Sequence, residues 1–225
     1  MIRVYVICEG RTEAIFVKDV LREFFAGSGI HVLAKIIGRP GHKGGNIQFD
    51  RLYADLRDLL LEDRGAYCTT FFDFYGLHND FPGKKEAQQQ RVSKDKFNCV
   101  VNGMARTIQE KLGEAPARRF IPYIQMHEFE GLLFSDPDGL ARGISQEALA
   151  GDFRAIRDGF ASPEEINDSV HTAPSKRIEQ LFPAYDKPLY GSLAAMEIGL
   201  ETIQARCPLF NQWIRAIKTL TVSRS

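Results

Sequence analysis

The stretch MIRVYVICEGRTE, residues 1–13, decides the fold of this chain. Residues 2–8 form an apolar run rich in β-branched side chains, which predicts a short buried strand. Glu9 and Gly10 follow directly, and apolar residues then recur at helical spacing, at Ala14, Ile15, Val17, Val20, Leu21 and Phe24. A carboxylate between a parallel strand and a helix lies at the carboxyl edge of the sheet, where open α/β folds bind their ligands.

Two acids at this strand-to-helix corner are candidate metal ligands. Glu9 follows a buried strand, where an isolated charge needs a partner or a metal ion. Glu13 falls in the first turn of the helix, where the helix dipole favours an acid even without a function. The corner therefore suits a shared divalent cation, while a helix-start role explains Glu13 equally well.

Composition sets limits on the function. The 225 residues suit one domain or one domain with an appendage. The 29 basic and 29 acidic residues balance, so nucleic-acid binding must come from a local basic face or from a partner. The four cysteines form no C-x-x-C pair, which argues against structural zinc and a disulfide framework. Without a membrane-length apolar run or a signal pattern, we expect a cytoplasmic protein that contacts no membrane.

The order of the predicted elements indicates an α/β fold. Strands are predicted at 2–8, 30–37, 66–72 and 119–126, with helices between them, which implies a Rossmann-like parallel sheet of about four strands flanked by helices. After residue 127 only helical patterns follow, at 128–134, 146–159, 175–182, 193–205 and 209–220. We therefore divide the chain into an α/β core, 1–135, and a helical C-terminal cap, 136–225, with no clean boundary between them.

Further acids follow the later strands. Asp73 ends the third predicted strand, and Glu128 and Glu130 come just after the fourth. Because parallel strands end at the same edge, these acids should converge on Glu9, and such a cluster needs a neutralising cation. Oxygen ligands without a cysteine or histidine cluster favour Mg²⁺ or Mn²⁺, and such a site can activate water and bind a scissile phosphate. His127, beside these acids, is better explained as a structural residue.

Two basic segments are candidates for phosphate binding. The glycine-rich loop 38–45 carries Arg39, His42 and Lys43, and its backbone N–H groups suit a phosphate, although a flexible polar loop has the same composition. The loop lacks the G-K-[ST] sequence of an ATP-binding P-loop.

The second basic segment is APSKRI, residues 173–178. It predicts Ser175 as a helix N-cap with Lys176 and Arg177 in the first turn, where bases oppose the helix dipole. A phosphate or the acidic cluster would offset that cost. Lys187 and Tyr190 are further candidates.

The chain resembles the Toprim domain of topoisomerases, primases and overcoming-lysogenization-defect (OLD) nucleases in its Glu9-Gly10-x-x-Glu13 corner and its later strand-ending acid. Longer motifs resemble a bacterial Toprim-like family of unknown function, numbered forty-two seventy-six: FDFYGL at 72–77, DFPG at 80–83, HEFEGLLF at 127–134, APSKRI at 173–178 and CP-x-F-x-x-W at 207–213. The resemblance implies a Toprim-like fold. Members of that family are commonly encoded beside an ABC- or AAA-type ATPase in phage-defence pairs, which resembles an OLD nuclease split into two polypeptides.

The resemblance also implies a metal site. Toprim nucleases hold one or two Mg²⁺ ions with a first-strand glutamate, a neighbouring glutamate and an Asp-x-Asp pair, which correspond here to Glu9, Glu13 and Asp73. Tyr75 stands where the second aspartate is expected. Either the site is weakened, or other acids substitute, which gives the candidate metal ligands Glu9, Glu13, Asp73, Asp80, Glu128 and Glu130.

We therefore expect a Mg²⁺-dependent nuclease that cuts DNA or RNA under the control of a partner ATPase. Glu9, Asp73 and Lys176 are its candidate catalytic residues, and Arg39, His42, Lys43 and Arg177 its candidate phosphate-binding residues. The alternative is a catalytically degenerate Toprim module that acts as a sensor or a regulatory subunit of the ATPase. A primase-like nucleotidyl transferase is a third possibility, but nothing resembles a template-binding zinc module.

Overall fold

The computed structural model describes residues 1–38, 46–167 and 172–220. Within these residues, four parallel strands form one sheet in the order β2-β1-β3-β4. They are β1 (Ile2–Cys8), β2 (Ile30–Ile36), β3 (Ala66–Phe71) and β4 (Phe120–Ile121). The predicted α/β class with a four-stranded parallel sheet is therefore confirmed.

Helices flank the sheet and make up the C-terminal part of the chain. α1 (Arg11–Phe16) continues through a π-helical turn (Val17–Leu21) into α2 (Arg22–Phe25). The others are α3 (Phe49–Glu62), α4 (Lys84–Gln88), α5 (Ser93–Leu112), α6 (Glu114–Ala117), α7 (Pro137–Gly143), α8 (Ala150–Asp158), α9 (Pro174–Leu181), α10 (Ser192–Ile198), α11 (Leu200–Arg206) and α12 (Pro208–Lys218). No helix in the described ranges has both the length and the apolar character needed to cross a membrane.

An aromatic cluster joins the sheet to the last helix. The ring of Phe16 packs edge-on against Phe71, Phe129 and Phe210, at centroid distances of 5.8, 5.5 and 6.1 Å. Trp213 of α12 stacks on Tyr123 at 4.4 Å, and its indole N–H donates to the Thr69 hydroxyl at 2.7 Å. The C-terminal helices and the sheet therefore share one hydrophobic core.

The fourth strand is shorter than the predicted 119–126. Pro122 has no N–H to donate to a ladder. The Thr70 hydroxyl fills the gap, because it accepts the Tyr123 N–H at 3.0 Å and donates to the Tyr123 carbonyl at 2.6 Å. Pairing resumes with a single bridge between Asp73 and Gln125. The proline thus confines the regular strand to two residues without removing the parallel alignment.

The helical part also differs from the prediction in detail. The helix predicted at 193–205 is divided at Gly199, whose φ of +79° interrupts helical geometry. The segment predicted as a helix at 128–134 forms a 3₁₀ helix over Phe129–Ser135. Helices α4, α6 and α7 were not predicted, since five, four and seven residues are too short to show an apolar period.

The first turn of α12 is capped by a buried carboxylate from another segment, that of Glu164. Both oxygens of Glu164 accept backbone N–H groups at the start of α12, from Leu209 at 2.9 Å and from Phe210 at 2.8 Å. Glu164 is only 1% exposed. Burial raises the pKa of its carboxyl group to about 7 from an ordinary 4.5, although these two hydrogen bonds oppose the rise.

This pKa makes stability depend on pH with a definite sign. The folded protein binds the Glu164 proton more tightly than the unfolded chain does, so its contribution to stability is largest below about pH 4.5 and declines as pH rises through about 7. The free energy of unfolding of the wild type, measured relative to Glu164→Gln by urea denaturation, should therefore fall by about 3 kcal/mol over this range.

An exposed acid elsewhere in the chain provides the control for this experiment. Glu110 of α5 is exposed and is not among the groups that shift the pKa of Glu164, so the difference between the wild type and Glu110→Gln should stay nearly constant over the same range. A pH-independent difference between the wild type and Glu164→Gln would contradict the prediction.

Candidate functional site

The pairing of β1 with β3 brings two acids to the same edge of the sheet. The parallel register runs up to Cys8 opposite Phe71, so the residues that follow both strands leave the sheet together. The backbone N–H of Asp73 donates to the Glu9 carboxylate at 3.2 Å. Glu9 and Asp73 therefore meet where the sequence places them, at the carboxyl ends of neighbouring strands.

A glycine makes room for the Glu9 carboxylate. Gly76 ends the 3₁₀ turn Phe74–Gly76. A Cβ atom at this position would lie 2.2 Å from Glu9 Oε2 and 2.5 Å from Oε1, closer than real Cβ contacts come. The glycine of the FDFYGL motif is thus required by the position of Glu9.

Glu13 has a structural contact and an electrostatic one. Its Oε2 accepts the backbone N–H of Gly10 at 2.8 Å, which caps the start of α1. Glu13 is 5% exposed, and burial followed by the charge of Glu9 raises the pKa of its carboxyl group to about 7. Glu130 contributes to the same rise. The helix-start role is therefore present, and the carboxylate also lies in the field of the other acids.

Glu130 joins these acids from the 3₁₀ helix Phe129–Ser135 and is fully buried. Its Oε2 accepts a hydrogen bond from Lys187 Nζ at 3.0 Å. Burial raises the pKa of Glu130, while the charge of Lys187 opposes the rise. Burial disfavours the charged form of Lys187. The negative charges of Glu130 and then Asp73 outweigh this effect and raise the pKa of Lys187.

We define the cluster as Glu9, Glu13, Asp73 and Glu130. Its negative charge is only partly balanced by positive charge from the residues around it. Burial raises the pKa of Asp73 well above its usual range, and the charges of Glu9 and Glu13 add to the rise. Lys187 is the cation that lowers it. Four carboxylates around one lysine favour either protonation or a bound cation.

Three buried polar atoms at this cluster have no hydrogen-bond partner among the described residues: Asp73 Oδ1, Glu130 Oε1 and the Tyr185 hydroxyl. Burial and then the charge of Glu130 raise the pKa of Tyr185, so its hydroxyl stays protonated. The Tyr185 hydroxyl lies close enough to the Glu130 side chain to interact with it. Because buried polar groups are normally paired, the two remaining carboxylate oxygens, of Asp73 and Glu130, indicate a site that accepts a ligand, an ion or water.

Glu128 lies beside the cluster but has a different contact. Its Oε2 accepts the backbone N–H of Ser175 at 3.1 Å, at the start of α9. α9 begins at Pro174 with Ala173 as its N-cap, so the predicted capping role of Ser175 is wrong and Glu128 supplies the cap. The charge of Glu128 still raises the pKa of Glu130.

Other predicted site residues have partners elsewhere on the surface. Exposed Asp80 pairs with Lys85 at 2.6 Å. Lys176 pairs with Glu179 one turn along α9 at 2.5 Å. Arg177 donates to the Thr172 carbonyl at 2.8 Å and lies 5.1 Å from the centre of the Phe160 ring. Arg39, His42 and Lys43 lie outside the described residues.

The carboxylates of the cluster are chemically suited to Mg²⁺, but their spacing in the structure does not form a binding group for it. Carboxylate oxygens are the ligands this ion prefers. In the part of the chain that the structure describes, however, no three histidine, cysteine, aspartate or glutamate side chains form a ready metal-binding group. The unpaired oxygens of Asp73 and Glu130 are available, so a bound cation would have to draw the carboxylates closer together.

A family model described as "Domain of unknown function (DUF4276)" matches residues 8–218. The chain belongs to the DUF4276 family. No curated protein and no solved structure matches it. The match begins at the last residue of β1 and spans the other three strands, the carboxylate cluster and α12, so these features belong to the DUF4276 region itself.

The sequence analysis named Lys187, the lysine that faces the acids, only as a further candidate beside Lys176. APSKRI directs attention to Lys176, whereas Lys187 is the lysine that contacts the cluster of this DUF4276 chain. Lys187 stands between Asp186 and Pro188 in a segment without a regular pattern. Only the packing of its π-helical segment, Lys187–Gly191, against α1 and α10 shows its role.

The two lysines allow a direct comparison. Lys187→Met leaves Glu130 buried without its cation and should destabilise the protein by about 1–3 kcal/mol, less than for a fully buried pair because Lys187 is partly exposed. Lys176→Met removes a surface pair and should cost about 0.5 kcal/mol or less. Urea unfolding of both variants checks the prediction, and equal losses would contradict it.

Proposed function

We propose that this DUF4276 chain is a Mg²⁺-dependent phosphodiesterase of the Toprim type, a nuclease effector of phage defence that a partner ATPase controls. The observation that carries the proposal is the cluster itself: four carboxylates at one edge of a parallel sheet, with one lysine in contact and two unpaired oxygens. The resemblance to Toprim nucleases supports the same reading of Glu9, Glu13 and Asp73.

Glu9 and Asp73 would hold the cation, with Glu13 and Glu130 completing its surroundings. A bound Mg²⁺ would supply Lewis acidity and an activated water molecule. The protein's own residues prepare the site. The Asp73 N–H and the space at Gly76 orient Glu9, the Gly10 N–H orients Glu13, and Lys187 holds Glu130.

Lys187 is the cation that we assign to the phosphate. Its ammonium group lies within the field of Glu130 and Asp73, and a lysine there stabilises negative charge that develops on a phosphodiester. The structure pairs Lys176 with Glu179, which gives that lysine no such position. In this proposal Lys187 therefore takes the role that the sequence motif suggested for Lys176.

The resemblance and the charge of the chain support a partner ATPase. The formal net charge of the chain is zero, so long-range attraction to a nucleic acid is weak. A partner that binds the nucleic acid and presents it to the cluster would supply the missing attraction. The substrate in this proposal is DNA or RNA, delivered by the ATPase.

A second candidate is a catalytically degenerate module that regulates the ATPase. Tyr75, at the position expected for an aspartate, packs against the His127 ring at a centroid distance of 5.7 Å. Together with the absence of a ready ligand group in the described residues, this arrangement favours a site that has lost its metal. Calorimetry separates the two candidates: the degenerate module forms a complex with the ATPase but takes up no Mg²⁺.

Matched substitutions test the catalytic proposal. Asp73→Asn should lower Mg²⁺-dependent cleavage, assayed with the partner ATPase, by about 100-fold or more, because even outer-shell partners of metal ligands are worth about 10–100-fold. Asp80→Asn makes the same change at an exposed acid paired with Lys85 and should leave cleavage within about twofold. Full cleavage by folded Asp73→Asn would overturn the proposal.

Gly76→Ala tests the position of Glu9 without removing a charge. The added methyl group meets the end of the flexible Glu9 side chain, so the carboxylate should move aside while the protein stays folded. We expect a loss of stability of about 1 kcal/mol or less. Mn²⁺ affinity measured by calorimetry should fall about tenfold or more, since the displaced ligand no longer faces Asp73. Unchanged Mn²⁺ affinity in the folded variant would contradict a role for Glu9.

A further inference from the structure

A second polar cavity lies at the start of α5. Its volume is about 240 Å³, and its lining residues are Arg91, Val92, Ser93, Lys96, His127, Glu165 and Asn167. None of the four acids of the cluster is among them. The cavity is nevertheless close to the same loop, because Tyr75, two residues after Asp73, packs on His127 and donates its N–H to the His127 carbonyl at 3.4 Å.

Two walls of this cavity carry buried polar atoms without a hydrogen-bond partner among the described residues. His127 is 3% exposed, and neither of its ring nitrogens is paired. Asn167 Oδ1 is also buried and unpaired. The rings of Phe74 and Tyr75 hold the imidazole in place at 5.8 and 5.7 Å. A fixed, buried histidine with both nitrogens unpaired requires a ligand or ordered water.

The charges around the cavity are mainly positive. Arg91 and Lys96 line it, and among the described lining residues Glu165 is the single acid. Burial and then the charges of Lys96 and of buried Lys84 lower the pKa of His127 to about 3. His127 is therefore neutral near pH 7, with one nitrogen as a donor and the other as an acceptor.

The N-terminus of α5 adds to this positive character. α5 is 20 residues long, and its N-cap, Val92, has no side chain that can accept the first N–H groups. Unpaired N–H groups and the helix dipole favour an anion at this end. The cavity therefore combines two cationic side chains, a long helix N-terminus and a buried imidazole donor.

We propose that this cavity binds a phosphomonoester group, on a free nucleotide or at the end of a nucleic-acid strand. A phosphomonoester carries about −1.5 to −2 charges at pH 7 and three acceptor oxygens, which matches Arg91, Lys96 and the helix N-terminus. The volume lies below the about 300–1,000 Å³ of sites for drug-sized ligands, so it suits a phosphate with its adjoining sugar. The phosphate site itself is independent of the proposed function. Only the assignment of its ligand as a nucleotide or nucleic acid rests on that function.

The first experiment measures phosphate binding by the full chain in EDTA, by calorimetry and ³¹P NMR with inorganic phosphate. The wild type should bind saturably. Lys96→Gln and Arg91→Gln should each weaken binding about tenfold or more, the scale of one lost charge-assisted hydrogen bond. Lys94→Gln is the matched control, an exposed lysine of the same helix outside the lining, and should change affinity less than about twofold.

Further ligands identify the source of the phosphate. Adenosine 5′-monophosphate should bind and adenosine should not. A short oligonucleotide with a 5′-phosphate that binds more tightly than the mononucleotide would assign a strand end, and equal affinities would assign a free nucleotide. Adenosine bound as tightly as its monophosphate, no saturable binding of phosphate, or an equal loss in Lys94→Gln would overturn the proposal.

The two proposals can fail separately. Phosphate binding is measured without metal, and Asp73→Asn should keep it while losing Mg²⁺-dependent cleavage. His127→Asn, checked for folding by circular dichroism, should weaken phosphate binding. If that variant does not fold, Lys96→Gln and Arg91→Gln still decide the result, since Arg91 is exposed and Lys96 is only half-buried.

Discussion

The parallel pairing of β1 with β3 is the constraint on which the rest of the site depends. It brings Glu9 and Asp73 to one sheet edge, where burial and the charge of Glu9 make the charge of Asp73 costly. The surrounding contacts reduce that cost in part. Backbone N–H groups of Asp73 and Gly10 contact two of the carboxylates, Gly76 leaves space, and Lys187 brings a positive charge. The remaining excess of negative charge is the chemical property that a function can use.

The C-terminal helices complete this site rather than merely cover it. Glu9 and Asp73 come from the first third of the chain, whereas Glu130 and Lys187 come from segments beyond β4. The Trp213–Thr69 hydrogen bond and the stacked Tyr123–Trp213 pair attach α12 to the sheet. Packing of the Lys187–Gly191 segment against α1 therefore sets the charge balance at the sheet edge, while α12 is held to the same sheet by its aromatic contacts.

The sequence predicted the parts of the molecule that local patterns determine. Apolar runs followed by acids identify β1 and β3, and strand direction then places Glu9 and Asp73 together without a structure. Lys187, Glu164 and the His127 cavity depend on contacts between segments far apart in the chain, which no local pattern encodes. Prediction also fails where one residue interrupts a regular pattern, as Pro122 does in the fourth strand and Gly199 does in the C-terminal helices.

The short fourth strand has a consequence for self-association. An open sheet can recruit a strand from another molecule at either edge, and that recruitment leads to aggregation or to a specific assembly. At one edge, β4 has two regular residues before Pro122, so it makes a poor template. At the opposite edge, β2 extends over seven residues and pairs only with β1 among the described strands. A strand from another molecule would therefore add to this sheet at the β2 edge and not at the β4 edge.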